Sequence, residues 1–190
     1  KLIETLADVD DSVMERYLAA EHAFTVDPVD GTKNFVHGSP DHAVMVSETV
    51  SGQAVRAWIW QPEHQVAWVA ERGAGTWCDG VRQHVSAVAA DGEPRGVTSI
   101  WALRDQQLGD LPRMGLSWVC CGVDYPKLIS GDADYILYSR TNPWDHVPGS
   151  LMVTEAGGFV GHPDGTVYTP RSLRPGLIPA TDHATYVAVQ

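Results

Sequence analysis

The chain has 190 residues and a formal net charge of −11, with 24 Asp and Glu against 13 Lys and Arg. This acidic surplus argues against nucleic acid and anionic membrane surfaces as partners, since both attract basic proteins. The length is sufficient for one domain with a substantial core, and we treat residues 1–190 as a single domain.

The cysteines indicate the compartment. There are three, without metal-binding spacing, and Cys120 and Cys121 are adjacent within an apolar run. An odd number of cysteines and the lack of a signal-peptide pattern predict a reducing, cytoplasmic location. No apolar stretch approaches the ~20 residues that a membrane-spanning helix needs.

The first predicted elements are a helix and a strand. Residues 11–20 have the amphipathic pattern of a helix, with Asp11 or Ser12 as its cap. Residues 23–26 form a short apolar strand that delivers Asp27 at its C-terminal end, where ligands gather in α/β sheets.

The most informative segment follows this strand and reads Asp27-Pro28-Val29-Asp30-Gly31-Thr32. Asp27 and Asp30 offer the hard oxygen ligands that Mg²⁺ prefers. Gly31 lets the main chain approach a ligand, and the amides of residues 31–33 can donate to an anion if a helix begins there. The alternative is an Asx-turn before a helix cap; an EF-hand loop fits worse, because its acids stand at alternate positions.

The remaining elements follow from apolar alternation and turn residues. Predicted strands cover 43–49, 54–60, 66–70, 76–77, 117–123, 135–138 and 177–180, predicted helices cover 125–130, 148–155 and 182–190, and a hairpin covers 159–168. Residues 90–113, rich in Gly, Pro and charge, are predicted to cross between two layers. Helices mixed with antiparallel hairpins predict a layered α+β fold.

A second motif is Trp144-Asp145, followed by Glu155-Ala156-Gly157-Gly158. Asp145 precedes an apolar helical run, so by itself it predicts a helix N-cap. Combined with the first motif, it becomes a predicted third carboxylate ligand for the metal.

Together these motifs resemble the signatures of the inositol monophosphatase family of Mg²⁺-dependent, lithium-sensitive phosphatases. Residues 34–38 and 71–80 also resemble family segments, so that the resemblance covers roughly residues 20–190. It implies an α-β-α-β-α sandwich and a homodimer. Members of the family usually carry a helical and strand region ahead of the first motif, so we expect that the N-terminal part is missing.

The resemblance also implies a site. The implied metal ligands are the carboxylates of Asp27, Asp30 and Asp145 and the backbone carbonyl of Val29. The amides of Gly31 and Thr32 would hold the substrate phosphate, and the Thr32 hydroxyl would orient the attacking water. Asp30 and Thr32 are therefore predicted catalytic residues.

One further catalytic residue is predicted by position only. The family uses a Glu roughly twenty residues before the first Asp, in a Gly-Glu-Glu segment that does not occur here. Glu4 is the nearest candidate for this metal ligand and water activator. The alternatives are that Glu4 is a solvated acid, or that the true Glu lies in a missing segment.

The resulting interpretation is an enzyme that hydrolyses a phosphate monoester of a small polyol or related metabolite with Mg²⁺. The Thr-Lys-Asn-Phe continuation of the first motif also occurs in histidinol-phosphatase-like relatives, which makes histidinol phosphate the alternative substrate. A non-catalytic relative that binds metal or phosphate is the alternative of another class.

Two residues are predicted to set substrate specificity. In relatives that act on inositol phosphate, an acid seven residues before the Trp-Asp aspartate binds ring hydroxyls. Tyr138 takes that place here and is a weaker acceptor, while Arg140 adds an anion contact. Inositol monophosphate is therefore predicted to be at best one of several substrates.

Overall fold

The computed structural model describes residues 11–89 and 92–190, and its helices and strands form two sheets with helices between and outside them. The helices are α1 (Asp11–Ala19), α2 (Thr32–Val36), α3 (Cys121–Ile129), α4 (Pro143–Glu155) and α5 (His183–Val189). The strands are β1 (His22–Asp30), β2 (Ala43–Val50), β3 (Gln53–Gln61), β4 (Val66–Glu71), β5 (Gly75–Cys78), β6 (Val81–Gln83), β7 (Gly96–Thr98), β8 (Gly115–Leu116), β9 (Tyr135–Leu137), β10 (Phe159–Gly161) and β11 (Ile178–Ala180).

The first sheet is antiparallel and follows the chain in the order β1-β2-β3-β4-β5-β6. Its inner face carries small and apolar side chains, among them Met45, Ala57 and Ile59, all of them buried. The two-residue turn between β2 and β3 has positive φ at both Ser51 and Gly52, which matches the twist of the strands it joins. The predicted hairpin and its turn are confirmed.

The second sheet has the order β10-β11-β9-β7-β8 and is mixed, because β7 runs parallel to β8 and β9 while β11 runs antiparallel to β9 and β10. Helix α4 lies between the two sheets, with α3 beside it, and α5 packs on β10 and β11. Gly149 permits this close helix pair, since a Cβ there would lie 2.0 Å from the Tyr125 ring. The predicted α+β sandwich is confirmed.

The prediction of a buried strand over residues 117–123 is wrong. Pairing with β7 ends at Leu116, and α3 begins at Cys121, so the helix predicted over 125–130 starts four residues earlier. A short apolar run fits a buried helix as well as a buried strand, and periodicity does not separate them. Pro126 removes one amide from α3, and the Gly122 carbonyl that it would have met accepts instead from Gln61 Nε2 at 2.7 Å.

The start of helix α4 also differs from the prediction. Helix α4 begins at Pro143 rather than at Pro148, because proline suits the first turn of a helix, where an amide has no partner.

The hairpin predicted over 159–168 is confirmed with a short ladder. Gly161 and Val167 form an antiparallel bridge, and the amides of His162 and Tyr168 donate to the carbonyls of Thr166 and Val160 across a turn at residues 163–165. None of the helices in the described ranges is long and apolar enough to cross a membrane.

Candidate metal centre

Strand β1 continues through the first motif and presents both of its carboxylates to one side. Asp27 pairs with Met45 and Asp30 with Ala43, so three steps on β1 face two steps on β2. This is a β-bulge, and Pro28, which has no amide to donate to the ladder, lies within it. The extra residue turns Asp30 inward, and its side chain is only 8% exposed.

The third carboxylate comes from the first turn of α4. Asn142 precedes this helix, and its amide Nδ2 donates to Asp145 Oδ2 at 3.0 Å. One carboxylate oxygen from each of Asp27, Asp30 and Asp145 lies within 4.8 Å of the others. The structure therefore brings the three predicted carboxylate ligands together, while their binding of metal stays a prediction.

Asp30 is held by protein donors on both oxygens. Its Oδ1 accepts the Gly31 amide at 2.9 Å, and its Oδ2 accepts the Gly122 amide at 2.6 Å and the Cys120 thiol at 3.0 Å. Asp27 Oδ1 accepts the Val29 amide at 3.0 Å. These bonds fix the carboxylates in place before any ligand arrives.

The electrostatics of the cluster favour a cation. Burial raises the pKa of Asp30 to about 6 and that of Asp145 to about 7, and the neighbouring carboxylates add to both shifts. Burial also raises the pKa of Asp27. Within the described ranges, no Lys or Arg forms an ion pair with any of the three. Crowded, uncompensated hard oxygen donors fit Mg²⁺.

The predicted phosphate-binding residues lie beside these carboxylates. Gly31 has φ 74, and a Cβ on it would lie 2.9 Å from both the Asp41 carbonyl and Cys120 Cβ, so only glycine fits. The Thr32 hydroxyl donates to the Val29 carbonyl at 2.9 Å. Because the Gly31 amide already donates to Asp30, phosphate binding by Gly31 and Thr32 stays a prediction. Glu4 lies outside the described residues.

A cavity of about 180 Å³ adjoins the carboxylates, lined by Asp30, Ser99, Val119, Cys120, Cys121, Asp124, Tyr138, Ser139, Arg140, Asp145 and His146. Tyr138 is buried, and its hydroxyl donates to Asp124 Oδ2 at 3.1 Å. Tyr138 therefore presents ring surface rather than a free hydroxyl. Arg140 is exposed at the rim of this cavity.

A buried polar network forms part of the cavity wall, and its central acid, Asp124, was not predicted from the sequence. Burial raises the pKa of Asp124 to about 7, although it accepts the Trp118 amide at 2.8 Å. Burial lowers the pKa of His146 to about 3, and this side chain lies 3.0 Å from the Tyr125 hydroxyl. His146 follows Asp145 in the second motif, whereas Asp124 falls between the strand predicted over 117–123 and the helix predicted over 125–130, so only its charge within an apolar run could have indicated a role.

Val119, at the wall of the same cavity, has φ 58, a left-handed conformation that strains a β-branched residue. Its neighbours impose this conformation: the Trp118 amide donates to Asp124, and the Trp118 carbonyl accepts from Asn34 Nδ2 at 2.8 Å.

Val119→Gly is accordingly expected to raise the free energy of unfolding by about 1 kcal/mol. Val119→Ala keeps a Cβ and serves as the control, with no comparable gain. Urea denaturation of the two variants measures the difference. An equal gain in both, or a loss with glycine, would show that the backbone at this position is not strained.

Residues 4–188 match the model of the inositol monophosphatase family. The chain is 31% identical to an inositol-1-monophosphatase of Mesorhizobium japonicum over 160 residues, which are 77% of this chain and 59% of that protein. It is 30% identical to Nus factor SuhB of Pseudomonas aeruginosa over 155 residues, or 74% of this chain and 56% of that protein. The chain thus spans less than two thirds of the length of these curated relatives.

The solved structure of a Thermotoga maritima IMPase matches with a TM-score of 0.79 and 25% sequence identity, and the match covers 90% of this chain and 68% of that one.

Proposed function

This chain belongs to the inositol monophosphatase family, and we propose that it hydrolyses a phosphate monoester of a small metabolite with Mg²⁺ as cofactor. The observation that carries the proposal is the convergence of three carboxylates from β1 and α4 within 4.8 Å. Burial raises the pKa values of these acids, and a bound divalent cation would supply the charge that holds them ionised.

Asp27, Asp30 and Asp145, with the Val29 carbonyl, would hold the metal. Bound Mg²⁺ supplies Lewis acidity that lowers the pKa of a water and neutralises charge on the phosphoryl oxygens. The Thr32 hydroxyl, which now donates to Val29, would position the attacking water. The Gly31 and Thr32 amides would orient the phosphate, and Glu4 is the proposed acceptor for the proton of the water. The cavity beside Asp30 and Asp145 would take the leaving alcohol.

The test is phosphate release with and without Mg²⁺ from a panel of inositol 1-phosphate, histidinol phosphate, fructose 1,6-bisphosphate and adenosine 3′,5′-bisphosphate. We expect turnover that EDTA abolishes and Mg²⁺ restores. Phosphate release that does not depend on Mg²⁺ would contradict the proposal. Metal binding without turnover on any ester would favour the non-catalytic alternative.

Assembly and sensitivity to lithium are proposed from the family alone. We expect a homodimer, and light scattering that shows a strict monomer would contradict this. We also expect inhibition of the phosphatase activity by Li⁺. The cytoplasmic location likewise stays a prediction, and fractionation of cells that produce the protein would test it.

Arg140 is expected to favour substrates that carry a second anionic group. Its side chain is exposed at the cavity rim and has no carboxylate partner among the ion pairs of the described residues. A hydrogen bond to a charged group contributes about 1.5–3 kcal/mol of interaction free energy, which Arg140 would lose as glutamine. Arg140→Gln should therefore lower kcat/KM for the two bisphosphates by at least about tenfold and affect the monophosphates less.

The control for this prediction is Arg104→Gln, which removes an exposed arginine that pairs with Asp105. A clear preference of the wild type for inositol 1-phosphate would contradict the specificity assigned to Tyr138 and Arg140. Equal losses on bisphosphates and monophosphates would assign Arg140 to the reacting phosphate instead.

A further inference from the structure

A serine and a histidine outside the metal centre are in hydrogen-bond contact. Ser172 Oγ lies 2.7 Å from His162 Nε2, and His162 Nδ1 lies 2.8 Å from the Gly176 carbonyl oxygen. None of these three residues lines the cavity beside the carboxylates. A nucleophile within hydrogen-bond reach of a base, which a third group orients in turn, is the arrangement used in nucleophilic catalysis.

The hydrogen bonds assign the proton in the neutral imidazole ring. The Gly176 carbonyl can only accept, so His162 Nδ1 carries the proton. His162 Nε2 then has a lone pair, and the Ser172 hydroxyl donates to it. In this tautomer the histidine is able to take the serine proton as a general base.

The fold holds the histidine in this orientation. His162 is 1% exposed, its amide donates to the Thr166 carbonyl at 2.8 Å, and its carbonyl accepts from the Tyr186 hydroxyl at 2.6 Å. The ring is bonded at both nitrogens, so it cannot turn away from Ser172 without breaking its bond to Gly176. The base is therefore positioned before any ligand arrives.

The serine is accessible from solvent, unlike the histidine. Ser172 is half-buried in a turn that its amide closes by donating to the Thr169 carbonyl at 2.9 Å, and Leu173 beside it is exposed. Within the described ranges, the Leu173 amide donates to no backbone carbonyl. It is therefore available to donate to an oxyanion that forms on Ser172.

We propose that Ser172 and His162 form a second nucleophilic site, which takes the acyl group of an activated ester. The bond from Ser172 Oγ to the acyl carbon forms, and the bond from that carbon to the leaving oxygen breaks. The serine proton moves to His162 Nε2 and then to the leaving oxygen, with no change of oxidation state. The reaction uses no metal and is separate from the proposed phosphatase activity.

The test uses the full chain in EDTA with two probes. Release of p-nitrophenol from p-nitrophenyl acetate measures acyl transfer, and a fluorophosphonate, which loses fluoride to an activated serine and stays bound, locates the nucleophile by mass spectrometry after digestion with trypsin. The tryptic peptide 172–190 contains one serine, Ser172, and no lysine. We expect the fluorophosphonate on this peptide in the wild type.

Three variants separate the roles of the two residues. Ser172→Ala should lose both the label and the ester cleavage. His162→Asn keeps an N–H donor for the Gly176 carbonyl but has no Nε2, so both rates should fall by about 10²-fold or more. Ser130→Ala, which changes an exposed serine at the end of α3, is the matched control and should keep the wild-type rates.

The assignment would be overturned by a wild type that is not labelled on Ser172, by ester cleavage that persists in Ser172→Ala, or by wild-type rates in folded His162→Asn. Circular dichroism establishes the fold of each variant. Ser172→Ala removes only a half-buried hydroxyl, so it decides the assignment even if His162→Asn does not fold. Since EDTA is present throughout, the result does not depend on the proposed metal centre.

Discussion

Asp145→Asn is expected to lower Mg²⁺-dependent kcat/KM by about 10³-fold, the scale of loss when a preorganised charged group is removed from a reaction centre. The asparagine keeps nearly the same shape but not the charge that would hold the cation. Since the Asp145 pKa is raised to about 7 by burial and by its neighbours, removing its charge should not weaken the metal-free fold. Phosphate release and thermal unfolding with and without Mg²⁺ measure the two effects.

Asp30→Asn should lose a similar amount of activity but also lose stability. Its two oxygens accept from Gly31, Gly122 and Cys120, so the asparagine NH₂ group must face at least one donor. An unpaired buried polar group costs about 1–3 kcal/mol. Glu63→Gln, an exposed acid, is the control for both variants. Wild-type turnover in either aspartate variant would refute the assignment of the centre.

The second large effect is the dependence of Mg²⁺ affinity on pH. Protons compete with the cation for Asp30, with a pKa of about 6, and for Asp145, with a pKa of about 7. Between pH 8 and pH 5 both carboxylates become protonated, so Mg²⁺ affinity is expected to fall on the order of 10²-fold or more. Calorimetric titration at several pH values measures this. An affinity that is flat over the range would contradict the raised pKa values.

The sign of the accompanying change in stability follows from the same shifts. An acid whose pKa is raised by folding binds its proton more tightly in the folded state, so the metal-free fold loses stability as pH rises from about 4 to the raised pKa. His146 opposes this trend, because its pKa is lowered to about 3 and stability falls as pH drops below about 6.5. Comparing melting temperatures with and without Mg²⁺ at each pH cancels the contributions of Asp124 and His146.

The sequence predicted the site residues best where a carboxylate stands next to a residue with a clear backbone role, such as a glycine or a helix start. Asp27, Asp30 and Asp145 could be singled out because carboxylates beside a glycine and at a helix start have few other uses together, and the structure brings them together. Cys120 and Asp124 could not, since their roles depend on where α3 begins. Two hydrogen bonds of the Trp118 backbone, to Asn34 and to Asp124, hold the residues before α3 in place, and Val119 between them and the helix has a left-handed backbone. These partners are distant in sequence or depend on the fold, so no local pattern reveals them.

The bulge in β1 has a consequence for how the motif can vary. Side chains alternate between the two faces of a strand, so residues three apart, such as Asp27 and Asp30, ordinarily point in opposite directions. The register shift between them restores a common side. The three-residue spacing of the motif therefore depends on the bulge: regular pairing of the same residues with β2 would send one carboxylate to the other face. Asp27 and Asp30 thus face one cation only while β1 keeps this bulge, so the irregularity of the strand is part of the site.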